Sequence, residues 1–145
     1  MGLDQYAYVA ARANQRSDFY ETGEYDPDLK EYVNNKVASP REIAYWRKHP
    51  NLQGWMEHLW VQKGRPLGPG GASLDPTFNG VELELTWEDL DTLEQDIRNN
   101  QLPYTKGFFF GEPADEYYRP QDLEFIKKAR AELFVGLRVF YNSSW

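Results

Sequence analysis

The 145-residue chain contains no cysteine, only two histidines and two methionines. The absence of cysteine excludes disulfides, thiolate metal sites and a cysteine nucleophile. The two histidines, His49 and His58, stand in neither HxxxH nor HExxH spacing, so a zinc centre is not expected. GxSxG, P-loop and GxGxxG patterns are missing, as is an EF-hand loop, so no catalytic residues, cofactor or metal can be assigned. No apolar run reaches the eighteen or so residues of a membrane span and no secretory core is present; a cytoplasmic protein without membrane association is expected. Positive charge is scarce as well. Sixteen Lys and Arg face 23 Asp and Glu, a net charge of -7 that argues against general nucleic-acid binding.

What the chain has in excess is rings: 5 Trp, 10 Tyr and 8 Phe, 16% of its residues. That is more than packing a domain of this size requires, so some rings are expected at a surface or pocket. The length suits a single domain with its own core.

Local patterns point to an α+β fold, a small and mostly antiparallel sheet packed by about four helices. Gln5 to Ala11 alternates like a strand. Residues 14–36 are polar and acidic, with Asp26-Pro27 as a turn and a short helical piece around Leu29 to Val33. Ser39-Pro40-Arg41-Glu42 has the pattern of a capping box and predicts a helix that His49-Pro50 ends, a histidine cation there suiting the carbonyl dipole. Leu52, Trp55, Met56, Leu59 and Trp60 recur at helical spacing between Asn51 and Gln62. Lys63 to Gly80 holds five glycines and three prolines, which predicts a flexible loop at 63–80.

After it, VELELT reads as a strand and Thr86 as the cap of a helix burying Trp87, Leu90, Leu93 and Ile97. Gly107 to Gly111, the segment GFFFG, reads as a short apolar strand with Phe108 and Phe110 on one side and Phe109 on the other. A last helix is expected from near Pro120, and Leu137 to Tyr141 either prolongs it or forms a strand after Gly136.

Two constellations invite a functional reading. Val81 to Ile97 carries seven carboxylates and no Lys or Arg: a nucleic-acid decoy or cation site or, more simply, a solvated strand face and a helix N-terminus that favours acids. The second is aromatic and basic. Tyr45, Trp46, Arg47 and Lys48 are consecutive, and Tyr117, Tyr118 and Arg119 follow the GFFFG segment. Rings beside cations are what stack a planar ligand and hold its phosphate or carboxylate, and Phe109 would add to the lining. A packed core edge with arginines paired to surplus acids is the alternative.

The opening MGLD with Tyr6 and Tyr8, YWRK at Tyr45 to Lys48, GFFFG followed by DEYY, and the terminal SSW resemble a family of small proteins encoded by tailed phages and bacteria. The likeness is scattered over the whole chain. Here Gln5 stands where the family usually has Met, and the long Gly/Pro loop is this chain's own. Some members are labelled phosphoglycerate kinase, but 145 residues without a nucleotide loop do not support that activity. The resemblance implies an accessory protein of the infected cell. Together the residues favour non-catalytic capture of a small anionic, nucleotide-like ligand at Tyr45, Trp46, Arg47, Lys48, Phe109, Tyr117, Tyr118 and Arg119. The alternatives are a module that docks on a host protein through Glu88, Asp91 and Glu94, and a small enzyme using a carboxylate pair.

Overall fold

The computed structural model describes residues 2–10, 24–26, 31–33, 41–67, 77–107 and 110–145. Strand β1 (Asp4–Ala10) turns Gln5, Ala7 and Val9 inward and leaves Tyr6 and Tyr8 half-buried on the other face. Two short strands, β2 (Glu24–Asp26) and β3 (Glu31–Val33), form a separate antiparallel pair with Tyr25 in register with Tyr32. The helical piece expected up to Val33 is therefore strand at 31–33, as the β-favouring Tyr32 and Val33 allow.

The main correction concerns residues 41–47. They form β4 (Arg41–Arg47), antiparallel to β1, and not a helix. Ser39 and Pro40, which supplied the capping signal, lie outside the described residues. The segment REIAYWR places Trp46 against Gln5 and Ala44 against Ala7, with a bulge between Ala7 and Tyr8. A ladder with β1 and burial of the Trp46 indole outweigh a helix signal worth about 1 kcal/mol.

Helix α1 (Pro50–Gln62) begins at the proline expected to stop the preceding helix, a residue suited to the first helical position. Strand β5 (Leu83–Leu85) leads to Thr86, whose side chain accepts the Asp89 amide while Asp89 takes the Thr86 amide, capping α2 (Trp87–Arg98) as expected. Leu90, Leu93 and Ile97 are buried, but Trp87 is 42% exposed. Helix α3 (Asp115–Phe134) starts five residues before Pro120 and contains it. The proline removes only the amide that would reach Glu116, and Asp115 and Glu116 suit the first turn. Strand β6 (Arg138–Ser144) settles the last segment as strand. Three helices thus stand among the described residues, where about four were expected. None of them is long and apolar enough to cross a membrane.

The four-stranded sheet has the order β4-β1-β6-β5, every neighbour antiparallel. One face carries Trp46, Ala7, Val9, Tyr141, Val139, Leu83 and Leu85, which join Leu52 and Met56 of α1, Leu90 and Leu93 of α2, and Phe125 and Ala129 of α3 in one apolar cluster. The fold is α+β. Gly107 to Gly111 is not the expected strand: the Phe110 amide bonds the Gly107 carbonyl at 3.1 Å in a turn, and residues 108–109 are outside the described set.

Candidate functional site

Where β4 ends, Trp46, Lys48 and His49 take different roles. Trp46 points into the core and donates its indole N–H to Asp122 Oδ1 at 2.9 Å. Lys48 adopts a left-handed backbone (φ 58°), its amide tied to the Leu3 carbonyl at 2.8 Å. That bend delivers His49, fully buried, against the same carboxylate: Nε2 lies 2.9 Å from Asp122 Oδ2. The role expected for His49, a cation closing a helix, is corrected, since it precedes α1 instead.

Gln5 completes this buried polar knot. Its amide oxygen accepts the His49 N–H at 2.8 Å, and its NH2 group reaches the His49 carbonyl at 3.0 Å and the Tyr141 hydroxyl at 2.9 Å. The Tyr141 hydroxyl donates onward to Gln53 Oε1 at 2.5 Å. Burial pushes Asp122 above the usual carboxylate range, against the pull of hydrogen bonds from His49 and Trp46. Burial likewise pushes the Tyr141 phenol far up. These groups lie out of reach of a ligand, so the knot positions the surface above it.

On that surface Tyr45 donates to Asp4 Oδ1 at 2.6 Å, a bond that, with lesser burial, raises its phenol. Arg47 reaches the same oxygen at 3.2 Å. The first turns of α3 come alongside: Tyr118 stacks on the His49 ring with centroids 4.3 Å apart and planes at 12°, and donates to the Arg47 carbonyl at 2.5 Å. Burial raises the Tyr118 phenol. Tyr117, 79% exposed, meets Tyr118 edge-on at 5.1 Å, and the Gln121 amide bonds the Tyr45 carbonyl.

Six of the eight expected site residues therefore gather at this corner: Tyr45, Trp46, Arg47, Lys48, Tyr117 and Tyr118. Trp46 is corrected from ligand contact to core, because its ring is 1% exposed, and Tyr118 supports rather than faces solvent. Arg119 points elsewhere, to the Asn100 side chain. Phe109 falls outside the described residues.

Beside the corner lies a groove of about 410 Å³ lined by Tyr104, Lys106, Gly107, Gly111, Glu112 and Pro113. Asn51 anchors its wall, accepting the Thr105 amide at 3.0 Å and donating to both Asp115 oxygens at 3.0 and 3.1 Å. The Lys106 ammonium sits 5.6 Å over the Tyr104 ring. Gly111, at φ 82°, abuts Lys48, whose Cβ would come within 3.2 Å of any side chain placed there. Lys48 and Lys106 form no ion pair among the described residues. Sequence patterns missed Asn51, Lys106 and the Gln5–His49–Asp122 knot. The available signal for the knot was a glutamine on the inward period of a strand.

The acidic segment is largely consumed internally. Arg138 grips Glu84 with two bonds, Lys63 holds Asp89, Arg130 bridges Asp91 and Glu94, and Asp96 accepts the Trp55 indole N–H. Among the described residues no group of three His, Cys, Asp or Glu is placed to hold a metal ion. Comparison with known proteins returned no match to a family model, to a curated protein or to a solved structure.

Proposed function

We propose that the chain is a non-catalytic accessory protein, of the kind tailed phages encode, that captures a small anionic, planar ligand such as a nucleotide in the cytoplasm of an infected cell. The observation that carries this reading is the groove at Gly111, where Lys106 sits over the exposed Tyr104 ring and the Lys48 stem packs on Gly111, both lysines without acidic partners among the described residues. An aromatic face stacks a base or comparable ring for about 1–3 kcal/mol, and two ammonium groups hold its phosphate or carboxylate. Gly107 and Gly111 bring backbone, not side chain, to the groove wall.

The test is calorimetric titration of the whole chain with mono- and dinucleotides, cyclic dinucleotides and sugar phosphates. Lys48→Ala and Lys106→Ala should each weaken binding about tenfold, one charge-assisted contact apiece, while thermal stability holds. Unchanged binding in both variants removes the groove from consideration.

A second reading, a module that modulates a host protein, has its own support. Trp87, Phe134 and Val135 are exposed at 42%, 83% and 68% near a second groove that joins Trp87 to Leu133 and Leu137. Its one lining carboxylate is Glu84, and of the α2 carboxylates Asp91 and Glu94 are engaged by Arg130. Co-purification of a host protein that Phe134→Ser abolishes would favour this reading.

A further inference from the structure

A third recess differs in chemistry from the lysine-flanked groove. It is a cleft of about 310 Å³ between α1 and α2. On α1 the lining residues Trp55, His58, Leu59 and Gln62 are spaced i, i+3, i+4 and i+7, one stripe of a helix. On α2 Asp89, Thr92 and Asp96 are spaced i, i+3 and i+7, a second stripe facing the first. Gln101 and Pro103 close one end.

The two carboxylates are not equivalent. Asp89 is neutralised by Lys63 at 2.5 Å and accepts the Thr86 amide at 2.8 Å. Asp96 accepts only the Trp55 indole N–H at 2.8 Å and has no Lys or Arg partner among the described residues. The indole fixes one carboxylate oxygen in place, and the Gln101 backbone N–H bonds the Asp96 carbonyl at 2.7 Å, which holds the Gln101 amide beside it. Thr92 has already given its hydroxyl proton to the Glu88 carbonyl, so it offers the cleft only lone pairs.

The cleft thus presents the Asp96, Thr92 and glutamine oxygens, with the His58 ring and the glutamine NH2 groups beside them, above an apolar wall of Trp55 and Leu59. The Asp96 carboxylate, without a Lys or Arg partner among the described residues, disfavours an anion there. A compact divalent ion lacks ligands, since no three metal-binding side chains converge among the described residues. We infer that the α1–α2 cleft binds a small alkylamine, its ammonium group on Asp96 and its methylenes on Leu59 and Trp55. An ammonium carries three donors, which suits the Asp96 oxygen, Thr92 and Gln101 together. The alkyl stem covers apolar side chains as a lysine stem does.

The probe is 1,4-diaminobutane, titrated calorimetrically into the full chain at fixed ionic strength. One-to-one saturable binding is expected. Asp96→Asn retains an acceptor for the Trp55 indole and should weaken binding at least about tenfold, the loss of a charge-assisted bond. Asp91→Asn removes the same unit of charge from the far side of α2, where Asp91 faces Arg130, and should change binding by less than about twofold. In the unmutated chain the Trp55 indole N–H resonance should move on titration. Equal weakening in the two variants, or a saturating heat that leaves the Trp55 resonance still, reduces the effect to general attraction by an acidic chain and overturns the inference. So does the absence of saturable binding.

Discussion

His49 and Asp122 meet at 2.9 Å with both side chains essentially sealed from solvent, and the second Asp122 oxygen takes the Trp46 indole N–H. One carboxylate on α3 thereby ties the end of β4 to the start of α1. Asp122→Ala leaves an imidazole and an indole donor buried without a partner and should cost about 3–5 kcal/mol, measured by urea unfolding.

The same group sets a pH dependence of unusual sign. Burial raises the folded Asp122 above its ordinary 3.8, so the folded chain holds that proton more tightly than the unfolded one. Its contribution is complete below 3.8 and declines as pH rises through the raised value. The stability of the unmutated chain minus that of Asp122→Asn should therefore fall across the window just above 3.8 and be flat beneath it.

Glu94 behaves oppositely. Hydrogen bonds from Arg130 and then Arg98 lower it from 4.5, so it stabilises the fold above that value and the gain is lost as pH falls through the lowered one. Arg130→Ala should bring Glu94 back toward its ordinary range, seen by NMR titration of its carboxyl carbon. The stability loss should be about 1 kcal/mol, since the pairs are partly solvated.

Gly54 reverses a general rule. Glycine to alanine within a helix normally stabilises by roughly 0.5–1 kcal/mol. Here the added Cβ would stand 1.8 Å from Thr105 Oγ1, so Gly54→Ala should destabilise by about 1–3 kcal/mol. Thr105→Gly in the same chain should recover most of that loss, because the obstruction is the Thr105 side chain.

Trp145 packs on the core, edge-on to Phe110 at 5.4 Å, with Asn79 bonding both its amide and its carbonyl. Removing it should lower the thermal midpoint by several degrees, a loss of about 1–2 kcal/mol, and leave the mass in solution unchanged.

Elements governed by short-range rules were legible in the sequence. The Thr86–Asp89 cap and the buried Leu90, Leu93 and Ile97 stripe depend on neighbours three or four residues away. Residues 41–47 were not legible, because the partner that makes them a strand is β1, some 40 positions earlier. The candidate corner was partly visible: clustering of Tyr45, Arg47 and Lys48 with Tyr117 was expected from ring-cation pairing alone. Which residue faces solvent depends on pairing with β1, so ring-cation clustering alone puts Trp46 on a ligand, whereas its indole belongs to Asp122. In sequence Gln5 is only a departure from a motif; the fold reveals the amide clamp on His49 behind it.

The strand order has a consequence for the order of folding. β1 and β6 are neighbours at the centre of the sheet yet far apart along the chain, with Asp4 opposite Ser144. Until β6 docks, β1 has only β4 to pair with and β5 has nothing. A chain that has not yet closed this long-range pairing therefore keeps β5, with its apolar Leu83 and Leu85, off the sheet, and the entropy of that closure weighs on the folding rate.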